Sequence, residues 1–179
     1  MFKDQNLNNV LELMLDTSNY SQKVFKAYTN EFPKELLDGI KEEKPFKKIE
    51  EYYVAELLVN EQPGVGKEIN FKVSFPLYNV QMTFGVSSIT EKDLRQLPMT
   101  DPRLFTRDNV DIEEPRLYIG YLTVQNENAN LKYQFYITKI QKDHYLVEVE
   151  SNNPNIRYES KVYTHDELIN KLQLKNNKR

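Results

Sequence analysis

The chain has 179 residues, of which 39% are hydrophobic and 28% charged, enough apolar material for the core of one domain. A formal net charge of -3 does not suit a surface that neutralises a row of phosphates, so we expect no nucleic-acid partner. The absence of cysteine excludes disulfides, cysteine-ligated metals and thiol nucleophiles.

The first ten residues, MFKDQNLNNV, lack the cationic start and apolar run of a signal peptide. No apolar stretch approaches the roughly 18 residues that a membrane-spanning helix needs. We therefore expect a cytoplasmic protein that makes no membrane contact, or an extracellular one if a leader has been removed.

The N-terminal part, residues 1–45, is predicted to be helical. A first amphipathic helix is indicated by the i, i+3, i+4, i+7, i+8 spacing of Leu7, Val10, Leu11, Met14 and Leu15. A second helix is predicted over 20–31, and Pro33 suits the first turn of a third, short one. Residues 41–51 alternate in charge sign, which indicates a solvated segment.

Residues 52–60, YYVAELLVN, fit both a buried strand and a helix, and their aromatic and branched side chains favour the strand. The stretch 61–68, EQPGVGKE, contains PGVGK and so suggests a phosphate-binding loop. That loop needs a glycine where Glu61 stands and a hydroxyl where Glu68 stands. Two acids there would repel phosphate, so the stretch is predicted to be a hairpin turn.

From residue 68 onward, apolar side chains alternate with polar ones, as in half-buried strands. A short helix capped by Thr90, with Asp93 in a capping-box position, interrupts them and stops at Pro98. Thr164 and Glu167 form a stronger capping box at the start of a C-terminal helix over 164–174.

These elements predict an α+β fold: N-terminal helices packed on one face of a curved antiparallel sheet of about six to seven strands, with a short C-terminal helix. We expect a single domain over residues 1–179. Its sheet covers residues 52–163 and contains one long loop, 98–115.

The sequence contains few candidate catalytic or metal-binding residues. His144 and His165 are too few for a metal site, and the acids at 108–114 match no calcium loop, so we predict no metal and no cofactor. The segment ESK at 159–161 resembles half of a metal-dependent nuclease centre, but it also fits an ordinary cross-strand charge ladder. No serine occupies a strained G-x-S-x-G turn. Enzymatic activity is therefore not expected, although it stays open.

The loop 98–115 is the first candidate binding element, because eighteen residues is long for a connection in a compact domain. Three prolines stiffen it, and it carries the anchor types typical of protein interfaces, namely Arg103, Leu104, Phe105 and Arg107. The alternative is that its apolar residues pack into the core.

The polar sheet face, with Tyr136 as its aromatic residue, is the second candidate. We therefore predict a non-catalytic binding or adaptor protein whose partner is another protein. The alternative is a small-ligand carrier or small enzyme whose pocket lies between helices and sheet. That pocket would be lined by Tyr53, Phe71, Tyr133 and Phe135, which also fit a plain aromatic core.

Overall fold

The computed structural model describes residues 7–19, 21–23, 38, 42, 45–49, 53–62, 66–99, 116–153 and 159–173. Within them lies one antiparallel sheet of eight strands, each hydrogen-bonded to the next along the chain. The strands are β1 (Phe46–Ile49), β2 (Val54–Gln62), β3 (Gly66–Phe75), β4 (Val80–Ser87), β5 (Leu117–Gln125), β6 (Asn130–Gln141), β7 (His144–Ser151) and β8 (Glu159–Thr164). The predicted antiparallel α+β arrangement is thus confirmed.

The expected strand number of six to seven is too low, because β1 lies inside the charged segment 41–51. Its four residues pair with β2 from Phe46↔Leu57 to Ile49↔Val54. A strand at a sheet edge can be short and charged, since its backbone hydrogen bonds hold it and one of its sides needs no partner. Charge alternation alone therefore did not distinguish an edge strand from a solvated loop.

Of the ambiguous stretch 52–60, residues 54–60 belong to strand β2, as predicted. The PGVGK stretch joins two antiparallel strands. Glu61 pairs with Lys67 and Gln62 with Gly66, so β2 and β3 form an antiparallel hairpin, and residues 63–65 lie outside the described residues. A phosphate loop would instead lie between a parallel strand and a helix. The hairpin interpretation is confirmed.

Three helices have described bounds: α1 (Leu7–Thr17), α2 (Glu91–Gln96) and α3 (His165–Leu172). Both predicted capping boxes form, Thr90 with Asp93 at α2 and Thr164 with Glu167 at α3. In each box, the threonine hydroxyl accepts a hydrogen bond from the backbone N–H of the acidic residue. The carboxylate of that acid in turn accepts a hydrogen bond from the backbone N–H of the threonine. The described part of the second predicted helix is residues 21–23, which are helical. The described part of the third is residue 38, which is also helical.

One cluster of buried side chains joins sheet and helices. The period of two sends alternate strand residues into it, among them Phe71, Phe84 and Phe135. Helix α1 contributes Val10, Leu11, Leu13 and Met14, and helix α3 contributes Leu168 and Leu172. We call the sheet side that joins this cluster the inner face and the other side the outer face.

Candidate partner-binding face of the sheet

The outer face carries a row of side chains that the strand register brings side by side. Leu58, Asn70, Gly85, Tyr121 and Gln134 stand opposite one another on β2 to β6. Glu150 on β7 completes the row. Most outer-face residues are polar, as the alternation predicts for the side turned from the core.

Tyr121 crosses β4 to reach β3. Its ring lies over Gly85, where a Cβ atom would clash with the ring carbon Cε1, and its hydroxyl donates to Asn70 Oδ1 over 2.8 Å. The strand β5 is irregular just before this point, with a register shift between Tyr118 and Gly120. Gly120 has a φ of 155°, which other residues rarely adopt, so the glycine permits the irregularity.

Arg116, directly before β5, packs on Tyr136 of β6. The carbon at the centre of its guanidinium lies 3.8 Å from the centroid of the Tyr136 ring, within the range of a cation–π contact. Tyr118 stands opposite Tyr136 in the register, and the two ring centroids are 5.7 Å apart. Tyr136 thus contacts both a cation and a second aromatic ring.

Two carboxylates of β7 hold the arginine in place. Arg116 Nη1 donates to Glu150 Oε2 over 2.6 Å and lies 3.7 Å from Glu148 Oε1. Glu148 is only 8% exposed, so its charge has little water around it and depends on the neighbouring cation. We call Arg116, Tyr118, Tyr136, Glu148 and Glu150 the Arg116 cluster.

Tyr118 of this cluster and the neighbouring Tyr121 remain protonated. Burial raises the pKa of Tyr118, and the nearby Glu68 carboxylate raises it further. The same two causes, burial first, raise the pKa of Tyr121. Both phenols therefore stay neutral hydrogen-bond donors throughout the physiological pH range.

Tyr136, a residue predicted from the sequence, lies in the Arg116 cluster, whereas the loop residues Arg103, Leu104, Phe105 and Arg107 lie outside the described residues. The outer face is also less open near the cluster than strict alternation predicts. Thr138 and Leu146, which pair across β6 and β7, are buried there together with Glu148.

The four residues of the alternative pocket belong to the core or touch it. Phe71, Tyr133 and Phe135 are buried members of the core cluster, and Tyr53 is half-buried and packs against it. A cleft of about 410 Å³ lies elsewhere, where the β3–β4 and β5–β6 turns meet at the end of the sheet.

His165, interpreted from the sequence as a surface residue, links three elements. Its Nε2 lies 3.2 Å from Glu91 Oε2 of α2, and its Nδ1 lies 3.4 Å from the hydroxyl of the buried Tyr145 on β7. That hydroxyl donates to the carbonyl of Leu94.

In the described part of the chain no three or more histidines, cysteines or acids converge as a metal site would require, and the acids at 108–114 lie outside it.

Sequence reasoning missed Arg116. A signal was present, because Arg116 and Tyr118 are two residues apart at the start of a strand and so share a face. Their partners Glu148 and Glu150 repeat this spacing on β7. Nothing in one sequence shows, however, which pairs of strands come together.

None of the described helices is long and apolar enough to cross a membrane. Comparison with protein-family models, with curated proteins and with solved structures gives no match for this chain. Its function must therefore be inferred from its own residues.

Proposed function

We propose that this chain is a non-catalytic binding protein that recognises another protein through the outer face of its sheet, at the Arg116 cluster. The loop 98–115 ends directly before Arg116 and would contribute Arg103, Phe105 and Arg107. In this proposal the helices cover the inner face of a curved sheet, and the partner binds the part of the outer face that is not already buried around Thr138, Leu146 and Glu148.

The observation that carries the proposal is the position of the Arg116 guanidinium, 3.8 Å over Tyr136 and bonded to Glu150. Arginine and tyrosine are the residue types that dominate the binding energy of protein interfaces, together with tryptophan. Their side chains are already ordered by mutual contact, which lowers the entropy lost when a partner binds.

The surroundings of the cluster fit a protein partner. Half-exposed or exposed polar side chains extend from it across the outer face, among them Gln134, Lys132, Thr123 and Lys72. A centre of aromatic and arginine side chains with a polar surround is the usual anatomy of a non-obligate interface, which buries about 800 Å² on each partner.

Site-specific photo-crosslinking in the source cell tests the proposal. A benzoylphenylalanine at Gln134 lies beside Tyr136 on β6 and leaves every cluster residue intact, whereas one at the exposed Lys92 of α2 is the matched control. We expect a discrete crosslinked protein from position 134 that position 92 does not give. Identical products from both positions, or none from 134, would contradict the proposal.

The loop is tested in the same cells. Replacing Arg103, Phe105 and Arg107 by alanine should lower the yield of the product crosslinked through position 134. An unchanged yield would restrict the binding surface to the sheet.

A further inference from the structure

The cleft at the end of the sheet is built from two turns and the strands that they join. Residues 76–79 connect β3 to β4, and residues 126–129 connect β5 to β6. Gln81 and Gln125 stand opposite each other on β4 and β5 and form one wall, with Gln81 Nε2 lying 3.5 Å from Gln125 Oε1. Phe75 and Val80 also border the cleft, although their side chains belong to the buried core cluster on the inner face.

The two turns are fixed in position relative to each other. Asn79, in a left-handed conformation with φ of 54°, donates from Nδ2 to Glu127 Oε1 over 2.6 Å. Asn126 Oδ1 accepts the backbone N–H groups of Asn128 and Ala129, both at 2.8 Å. The cleft is therefore largely formed before any ligand enters, as ligand sites usually are.

We propose that this cleft binds a neutral saccharide. Its polar lining consists chiefly of the carboxamides of Asn79, Gln81, Gln125 and Asn126. A carboxamide has two N–H donors and an acceptor oxygen, which matches a sugar hydroxyl because the hydroxyl also donates and accepts. Asn126 can offer only its Nδ2 donors, since its Oδ1 already accepts two backbone N–H groups. The volume of about 410 Å³ lies within the range of small-molecule sites.

The charges of the cleft argue against ionic ligands. Among the described residues that line it, none is a lysine, arginine or histidine, so a phosphate or carboxylate would meet no opposite charge. The single acid, Glu127, already accepts a hydrogen bond from Asn79. Tyr78, in the same turn as Asn79, does not line the cleft but is 71% exposed beside it.

This site is independent of the proposed partner-binding function. Gln125 ends β5, whereas Tyr118 of the Arg116 cluster lies near its start, about 20 Å away at the usual rise per strand residue. A variant in the cleft therefore should not alter the cluster, and the two proposals can fail separately.

Titration of the ¹⁵N-labelled full chain with glucose, galactose, mannose, N-acetylglucosamine and disaccharides of these tests the proposal. The side-chain amides of the four carboxamide residues give their own NMR signals and report directly on the cleft. We expect one of these sugars to shift the signals of Gln81 and Gln125. Gln125→Ala should weaken that binding by about threefold to tenfold, the effect of losing one or two neutral hydrogen bonds.

Thr123→Ala is the matched control, since Thr123 lies on the same strand and face but outside the cleft. The site is supported if Thr123→Ala keeps its sugar affinity and Gln125→Ala loses affinity. The NMR spectra of both variants must keep the signal dispersion of the wild type, which shows that both are folded. The proposal is overturned if none of these sugars shifts the cleft signals, or if Gln125→Ala binds as the wild type does. It is equally overturned if N-methylacetamide, a mimic of a peptide backbone, shifts these signals and the sugars do not.

Discussion

Tyr121 and Gly85 form a matched pair on neighbouring strands, because the ring of the tyrosine occupies the space that any side chain at position 85 would need. The pairing orders Tyr121 over the middle of the sheet and aims its hydroxyl at Asn70. A glycine usually weakens a strand, and here the ring that covers it offsets that cost.

Gly85→Ala is expected to destabilise the fold by about 1–2 kcal/mol, since the tyrosine must leave its place and give up its hydrogen bond. The same substitution made in a Tyr121→Ala background should be neutral or stabilising, because the three atoms nearest to the new methyl group all belong to the removed ring, and alanine restricts the unfolded chain. Urea unfolding of the four proteins measures both effects. Equal destabilisation in both backgrounds would show that the backbone, and not the ring, requires glycine.

Asp16 at the end of α1 holds the helix to β8 and α3. Its Oδ2 accepts from the Tyr163 hydroxyl over 3.1 Å and lies 3.4 Å from Lys161 Nζ and 3.3 Å from Lys171 Nζ. Asp16→Ala should therefore destabilise the fold by about 1 kcal/mol or more, with α1 exchanging its amide hydrogens faster. Lys161→Ala should cost less than about 0.5 kcal/mol, since that lysine is 52% exposed. Equal losses for both variants would contradict this ranking.

Glu91 makes the stability depend on pH. Burial raises the pKa of this carboxyl, but hydrogen bonds from Arg95 and His165 outweigh burial and hold the pKa below its ordinary value of 4.5. A carboxyl with a lowered pKa stabilises the fold above its unfolded pKa and loses that contribution as the pH falls through its folded pKa.

Glu91→Gln should therefore be less stable than the wild type at neutral pH, by about 1 kcal/mol. The difference should shrink as the pH drops below 4.5, the ordinary pKa of a glutamate. Urea midpoints measured across that range give the comparison, with Glu12→Gln on the exposed face of α1 as control. A difference that does not change with pH would show that the charge of Glu91 is not what stabilises the fold.

The sequence patterns that succeeded are local ones. Alternation of apolar residues, as around Phe71 and Phe84, predicts strands because one side of each must be buried. The capping boxes were also predicted correctly, because their two residues lie close together in the sequence, as Thr164 and Glu167 do at a spacing of three. The pattern that failed depends on pairing with another strand, as at β1, whose charged sequence hid its backbone pairing with β2.

The candidate site was predicted only in part for a similar reason. Tyr136 could be found as an aromatic residue on a polar face. Arg116, however, gains its role from Tyr136 and Glu150, which lie 20 and 34 residues away in the sequence. The burial of Glu148 on the outer face was equally hidden, because alternation alone assigns every second residue to solvent.

In the proposed interface, we expect Arg116 to act through its shape as well as its charge. Arg116→Lys keeps the cation but loses the planar group that lies over Tyr136 and bonds Glu150, so we expect partner affinity to fall by about tenfold, or about 1.4 kcal/mol. Surface plasmon resonance with the crosslinked partner, once purified, measures this change. Wild-type affinity in the lysine variant would mean that only the charge is used.

The central proposal, that the Arg116 cluster is the partner-binding site, is tested most directly by the calorimetric affinity of that partner for wild-type protein, Tyr136→Ala and Lys132→Ala. Lys132 lies on the same strand and face as Tyr136 but outside the cluster. We expect Tyr136→Ala to lose at least about 2 kcal/mol of binding free energy, as a central interface residue does, and Lys132→Ala to lose little. Equal affinity of all three proteins for the partner would contradict the proposal.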